Sequence, residues 1–315
     1  MKLVATLLLL CAPLCADTDS GIWSDSGIFG PKYSEILTKI QKWQQTYPTI
    51  SKVVDYGKSV EGKVLRMLVV SKPGKFRSRP TILMTGSTHG NEYLAIEDTL
   101  PEELLKQSAP GSDTEVEAFL NRGGTLLFVP ILNPDGYDAR ERENARGVDL
   151  NRDWDVKPAN FKGFKEVETK LLAAKIKELA SRNRAPVQLK LTVDYHCCAG
   201  ALLYPWSYTT SALPVDALKA HQSIGDLSES LLGAEHGTTG EILGYYPMGT
   251  TKDYYYAEYG ALAFTFEGRY KEENKLLAKH VKWWTSMLGL LNQSTFFSDL
   301  ATALPWLYGA SSTPS

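Results

Sequence analysis

The sequence predicts a single α/β domain built on a largely buried sheet. Three observations carry that prediction. Short apolar runs of strand length alternate with amphipathic helical segments along the whole chain. No internal repeat, low-complexity linker or break in composition divides it. With 43% hydrophobic and 22% charged residues in 315, the composition is that of a chain able to bury a core, not of a disordered one.

Pro31 to Pro48 places Tyr33, Ile36, Leu37, Ile40 and Trp43 on one helical stripe, which predicts an amphipathic helix. SKVVDYG and KVLRMLVVS follow, with SVEG as the turn between two strands. PTILMTG, TLLFVPIL and LKLTVDYH are continuous apolar runs, the pattern of strands covered on both faces. VETKLLAAKIKELASRN and LPVDALKAHQSIGDLSESLLG are helices by period, ALAFTFEGR is a late strand, and EENKLLAKHVKWWTSMLGLLNQ is a closing helix. Strands interleaved with helices in one pattern argue for one sheet layered with helices.

The first sixteen residues, MKLVATLLLLCAPLCA, read as a secretory signal cleaved after Ala16, which implies a secreted or periplasmic protein. The apolar run is far short of the roughly 20 residues of a membrane span. Residues 17–308 are then the folded domain and 309–315 a loose tail. Cys11 and Cys15 leave with the signal, and Cys197 and Cys198 are neighbours, so no disulfide is expected. Lys and Arg number 34 against 36 Asp and Glu, a net charge of −2 that excludes a generic nucleic-acid binder.

Functional groups of an open α/β sheet gather where strands end. TILMTG is followed by THGNE, setting His89 and Glu92 three apart, a spacing that lets an imidazole and a carboxylate meet one cation. Taken alone the pair equally describes a surface histidine beside a helix-start acid. LKLTV ends in DYH, bringing His196 to another strand end, and FTF ends in Glu267, a carboxylate that is costly there unless it is paired or used. Residues 133–155, rich in Arg and Asn, offer donors to an anion or form a solvated charged loop. His221, His236 and His280 have no ligand-spaced partner, and no GxGxxG or GKS/GKT phosphate loop is present.

In order, THGNE, NPDGY with GVDLNRDWD, DYH with LLYPW, and FTFE resemble the zinc metallocarboxypeptidases of the carboxypeptidase A type. The likeness runs from about Tyr33 to Asn292 and implies a twisted mixed sheet of about eight strands flanked by helices. It implies one zinc per chain on His89, Glu92 and His196, with Asp149 holding the first histidine. Glu267 matches the carboxylate that takes a proton from the attacking water and passes it to the leaving amine. Arg142 matches the arginine that stabilises the oxyanion, and Asn151 and Arg152 match the pair that grips the substrate's terminal carboxylate. Counting 22 residues back from Glu267 gives Tyr245 as the capping tyrosine, with Tyr246 as its competitor.

The 14-residue step from Asp253 to Glu267 equals the family's, so the resemblance implies that Lys252 stands at the specificity position, where an ammonium would select an acidic C-terminal residue. The alternatives for Lys252 are to face solvent or to pair with Asp253. Because the pattern begins soon after Asp17, no activation segment beyond the signal is expected. The implied activity is removal of one C-terminal residue from peptides with a free C-terminus, by a monomer without a membrane span. A cell-wall (murein) peptide hydrolase or amidase of the same fold is the alternative within the family. A catalytically inactive peptide-binding module is the alternative outside it.

Overall fold

The computed structural model describes residues 30–293. The proposed signal (1–16) and tail (309–315) lie outside the described residues, as do both ends of the 17–308 domain.

The chain opens with α1 (Tyr33–Thr46), which buries Tyr33, Ile36, Ile40 and Trp43, the stripe its period predicts. The hairpin β1 (Ser51–Lys58) and β2 (Val64–Ser71) follows, paired antiparallel, and then β3 (Arg79–Gly86). Next come α2 (Ile96–Lys106), α3 (Glu115–Asn121), β4 (Thr125–Val129) and α4 (Pro134–Ala139). A 3₁₀ turn at Leu150–Arg152 leads to α5 (Val167–Ala180), β5 (Val187–Cys197) and β6 (Ala201–Tyr204). The last third holds α6 (Val215–Leu232), β7 (Glu235–Thr238), α7 (Thr239–Leu243), α8 (Thr251–Tyr259) and β8 (Leu262–Gly268). The chain closes with α9 (Tyr270–Glu273), a 3₁₀ turn and α10 (Leu277–Asn292).

The eight strands form one mixed sheet in the order β1-β2-β4-β3-β5-β8-β6-β7, as expected for the fold. Its centre, β4-β3-β5-β8, is parallel, and these four strands are buried along most of their lengths because helices cover both faces. From β3 the chain crosses to β4 on one side and then returns past β3 to β5 on the other. The carboxyl end of β3 is therefore a topological switch point, where departing loops leave a crevice. His89, His196 and Glu267 all follow or end these central parallel strands.

Several elements differ from expectation. The predicted single closing helix is broken before Leu277, where the Asn274 side chain accepts from Ala95 N (2.7 Å) and draws that turn toward the start of α2. TLLFVPIL is a strand only as far as Val129. His236 lies in the edge strand β7 instead of a loop. Cys197 and Cys198, expected to stay unbridged, lie with their sulfurs against one another and their Cα atoms 3.0 Å apart.

Candidate active site

At the end of β3, Ser87 turns through a φ of 46° and donates its hydroxyl to the buried Glu97 (2.7 Å). The chain then folds into the tight turn that carries His89 and Glu92, closed by Glu92 N on His89 O (3.2 Å). Gly90 makes this turn possible: a Cβ there would stand 2.1 Å from the Gly136 carbonyl carbon and 2.4 Å from Tyr137 N, so only glycine lets α4 press against it.

Three donor atoms converge here. His89 Nδ1 lies 2.8 Å from Glu92 Oε2, His196 Nδ1 lies 2.9 Å from the same oxygen, and the two Nδ1 atoms are 3.0 Å apart. The rings meet edge to face, with centroids 4.6 Å apart. Each Nε2 faces a carboxylate instead: His89 meets Asp149 Oδ1 and His196 meets Asp194 Oδ2, both at 2.9 Å. With a cation at the centre, each ring would donate its Nε2–H to its own carboxylate and turn a bare Nδ1 inward. Two nitrogen lone pairs and one carboxylate oxygen then point at a common place, which repels unless a cation stands there. One oxygen and two imidazole nitrogens suit zinc with one position left open.

Charge around the cluster agrees. Burial works against ionisation of Glu92, yet His89 and His196 outweigh it and hold the carboxyl well below its usual range. Burial likewise opposes charge on Asp149, and His89, Arg142 and Arg152 outweigh it. Arg142 closes the front: Nη1 donates to Glu92 Oε1 (2.7 Å), and Nη2 and Nε donate to Asp149 Oδ2 (3.0 and 3.3 Å). Three of its five N–H groups are used, which leaves one on each Nη.

Glu267 ends β8 in register with His196 on β5. Its carboxyl is partly open to the cleft but walled by protein, and desolvation raises its pKa to about 7. Asn151 is fixed through its oxygen, which accepts from Thr251 N at 3.0 Å, so its amide nitrogen is turned the other way. Arg152 is a third exposed, with Nη1 on Asn151 O (2.9 Å).

Lys252 is 2% exposed and donates to Thr239 Oγ1 (2.9 Å). It neither faces solvent nor closes an ion pair with Asp253, whose carboxylate accepts from Ser207 N (3.0 Å) and is raised to about 6 by burial. Burial lowers the pKa of the Lys252 ammonium, and the charges around it include Asp253, Glu267, Arg152 and Asp194. Tyr245 and Tyr246 both sit on the exposed loop after α7. Tyr246 packs its ring over Gly240, where a Cβ would stand 2.3 Å from Cε1, whereas Tyr245 lies close enough to Arg142 to interact with its charge.

Hydrogen bonds, adjacency in the chain or charge interactions link all ten site residues named from the sequence into one cluster near the carboxyl ends of β3, β5 and β8. Asp194 and Thr251, which touch His196 and Asn151, were not among them. Their only sequence signal is the two-residue step in DYH, which puts Asp194 and His196 on one face of a strand.

A sequence-family model described as zinc carboxypeptidase matches residues 36–283. Metallocarboxypeptidase A of Trichophyton tonsurans is 27% identical over 257 residues, covering 70% of this chain and 59% of the relative. Carboxypeptidase B of Astacus astacus is 27% identical over 241 residues, covering 67% of this chain and 74% of the relative. The chain thus spans less than two thirds of the length of the fungal relative. Among solved structures, the carboxypeptidase A from Helicoverpa armigera superposes with a TM-score of 0.64 at 21% identity, covering 82% of this chain and 73% of that one. Thrombin-activatable fibrinolysis inhibitor gives 0.63 at 20%, covering 86% and 74%. At such identities the superpositions speak to the fold.

Proposed function

This chain belongs to the zinc carboxypeptidase family, and from that premise we propose that it removes a single C-terminal residue from peptides, with a preference for Glu or Asp at the end. The observation that carries the proposal is the convergence of His89 Nδ1, His196 Nδ1 and Glu92 Oε2 beside the carboxyl of Glu267.

Bound by those three residues, zinc supplies a Lewis acid for the scissile carbonyl and lowers the pKa of a water. The chain's own groups do the rest. Asn151 and Arg152 bind the terminal carboxylate, the amide by its free nitrogen and the guanidinium by its planar fork. Tyr245 closes over the bound peptide and excludes water. Arg142, anchored on Glu92 and Asp149, donates its remaining N–H groups to the carbonyl oxygen as negative charge develops. Glu267 takes the proton of the attacking water on its carboxylate and returns it to the departing amine.

The acidic preference rests on Lys252. An ammonium facing the substrate's last side chain would pair with a carboxylate, repel Lys or Arg, and leave an apolar side chain facing an unpaired charge. The Asn151–Arg152 pair favours substrates with a free terminal carboxylate over amidated or cross-linked ones. The proposal includes export, on the strength of MKLVATLLLLCAPLCA, which precedes the described residues. Among the described residues no helix is long and apolar enough to cross a membrane. The test is hydrolysis of N-blocked dipeptides ending in Glu, Leu and Lys by zinc-loaded protein. Release of the free C-terminal amino acid, fastest for Glu, supports the proposal; cleavage only of internal bonds, or none, refutes it.

A further inference from the structure

Asp194 is 1% exposed, yet among the described residues no lysine or arginine hydrogen-bonds to it. Its partners are three hydroxyls and one imidazole. Thr85 Oγ1 and Thr88 Oγ1 donate to Oδ1 at 2.7 and 2.9 Å, while Thr251 Oγ1 donates to Oδ2 at 2.7 Å and His196 Nε2 meets Oδ2 at 2.9 Å. A carboxylate has about four lone-pair sites, and here each is filled. The partners come from the end of β3, the turn after it, the start of α8 and β5 itself. Such a cage satisfies a buried carboxylate through hydrogen bonds and holds it in one orientation. No site remains on it for a substrate.

The arrangement mirrors the other histidine. Asp149 stands 2.9 Å from His89 Nε2, and Asp194 stands 2.9 Å from His196 Nε2. We propose that Asp194 is a positioning residue that fixes the orientation and Nε2–H tautomer of His196, so that its Nδ1 is presented to the metal. The same carboxylate holds the Thr251 hydroxyl, and Thr251 donates its backbone N–H to Asn151 Oδ1, which braces the residue that faces the substrate's terminal carboxylate. The inference rests on the metal-site reading given above. Partners of this kind, when removed, commonly cost about 10- to 100-fold in metal affinity.

The test measures zinc dissociation constants by competition with a chelating dye for wild type, Asp194→Asn and His196→Ala, with melting of the metal-free proteins as a folding control. It is paired with the imidazole ¹⁵N spectrum of the wild type, in which His196 is assigned by its loss in His196→Ala. Affinity lowered about 10- to 100-fold in Asp194→Asn, with a slowly exchanging Nε2–H on His196 in the wild type, supports the inference. Asp194→Asn within threefold of wild type, while His196→Ala loses zinc, overturns it and leaves the metal site standing. So does an Nδ1–H tautomer at His196 in the wild type. Zinc binding undiminished in His196→Ala refutes the metal-site reading itself.

Discussion

Arg142 and Glu92 form an ion pair across the mouth of the crevice, Nη1 to Oε1 at 2.7 Å, while the other oxygen of Glu92 faces both histidines. One carboxylate therefore ties the arginine to the donor cluster. Asp149 does the same from the far side, holding His89 Nε2 and the Arg142 fork together. The guanidinium is pre-aimed, and this should be visible in kinetics.

Arg142→Ala is expected to lower kcat by about 10²–10³-fold with little change in KM, the loss of a contact that strengthens in the transition state. Arg152→Ala is expected to raise KM chiefly, because a grip on the terminal carboxylate is equal in ground and transition states. Steady-state kinetics on one N-blocked dipeptide separates them. If both variants change only KM, Arg142 is a binding residue.

Glu267→Gln should retain zinc and substrate affinity while kcat falls by about 10²–10⁴-fold. The amide keeps the shape of the side chain but cannot accept the proton. Zinc content by atomic absorption and inhibitor binding check the first half, and turnover checks the second. Activity within threefold of wild type would make Glu267 a structural residue.

Lys252→Asp should invert the order of kcat/KM from Glu first to Lys first. Leaving one partner of a desolvated charge pair uncompensated costs about 2–5 kcal/mol, roughly 30-fold or more in kcat/KM. An unchanged order would mean that Lys252 serves Thr239 and the core alone.

His221 supplies a pH prediction away from the crevice. Its ring joins α6 to β8, meeting Ala217 O at Nδ1 (2.8 Å) and accepting from Ala263 N at Nε2 (3.2 Å). It is wholly buried, and desolvation lowers its pKa from 6.5 to about 4. The unfolded chain therefore binds more protons between these values. The stabilisation is complete above about pH 6.5 and is lost as pH falls toward 4, amounting to at most ~3 kcal/mol. His221→Gln should flatten that part of the stability curve in urea titrations; an unaltered slope would show that His221 is not the group responsible.

Much of this molecule was legible in its sequence because the central strands are buried on both faces and so read as unbroken apolar runs. Strand β6 and its edge neighbour β7 were not. Ala201–Tyr204 is only four residues long, and Glu235–Thr238 is polar because an edge strand need not be apolar. The helix Ile96–Lys106 was hidden by Pro101, and Thr251–Tyr259 by a run of tyrosines, which favour strands. Tertiary packing of Tyr254 and Tyr255 on Trp154 overrides that preference. In the crevice, His89, Glu92, His196 and Glu267 stood out because each follows an apolar strand. Asp194 did not, since its partners Thr85, Thr88 and Thr251 are scattered along the chain and meet only in the fold.

Zinc dependence tests the central claim most directly. Protein dialysed against a strong chelator should release no C-terminal amino acid from an N-blocked dipeptide, and one equivalent of zinc per chain should restore full turnover. Undiminished release from metal-free protein, or restoration that needs no zinc, would contradict the account.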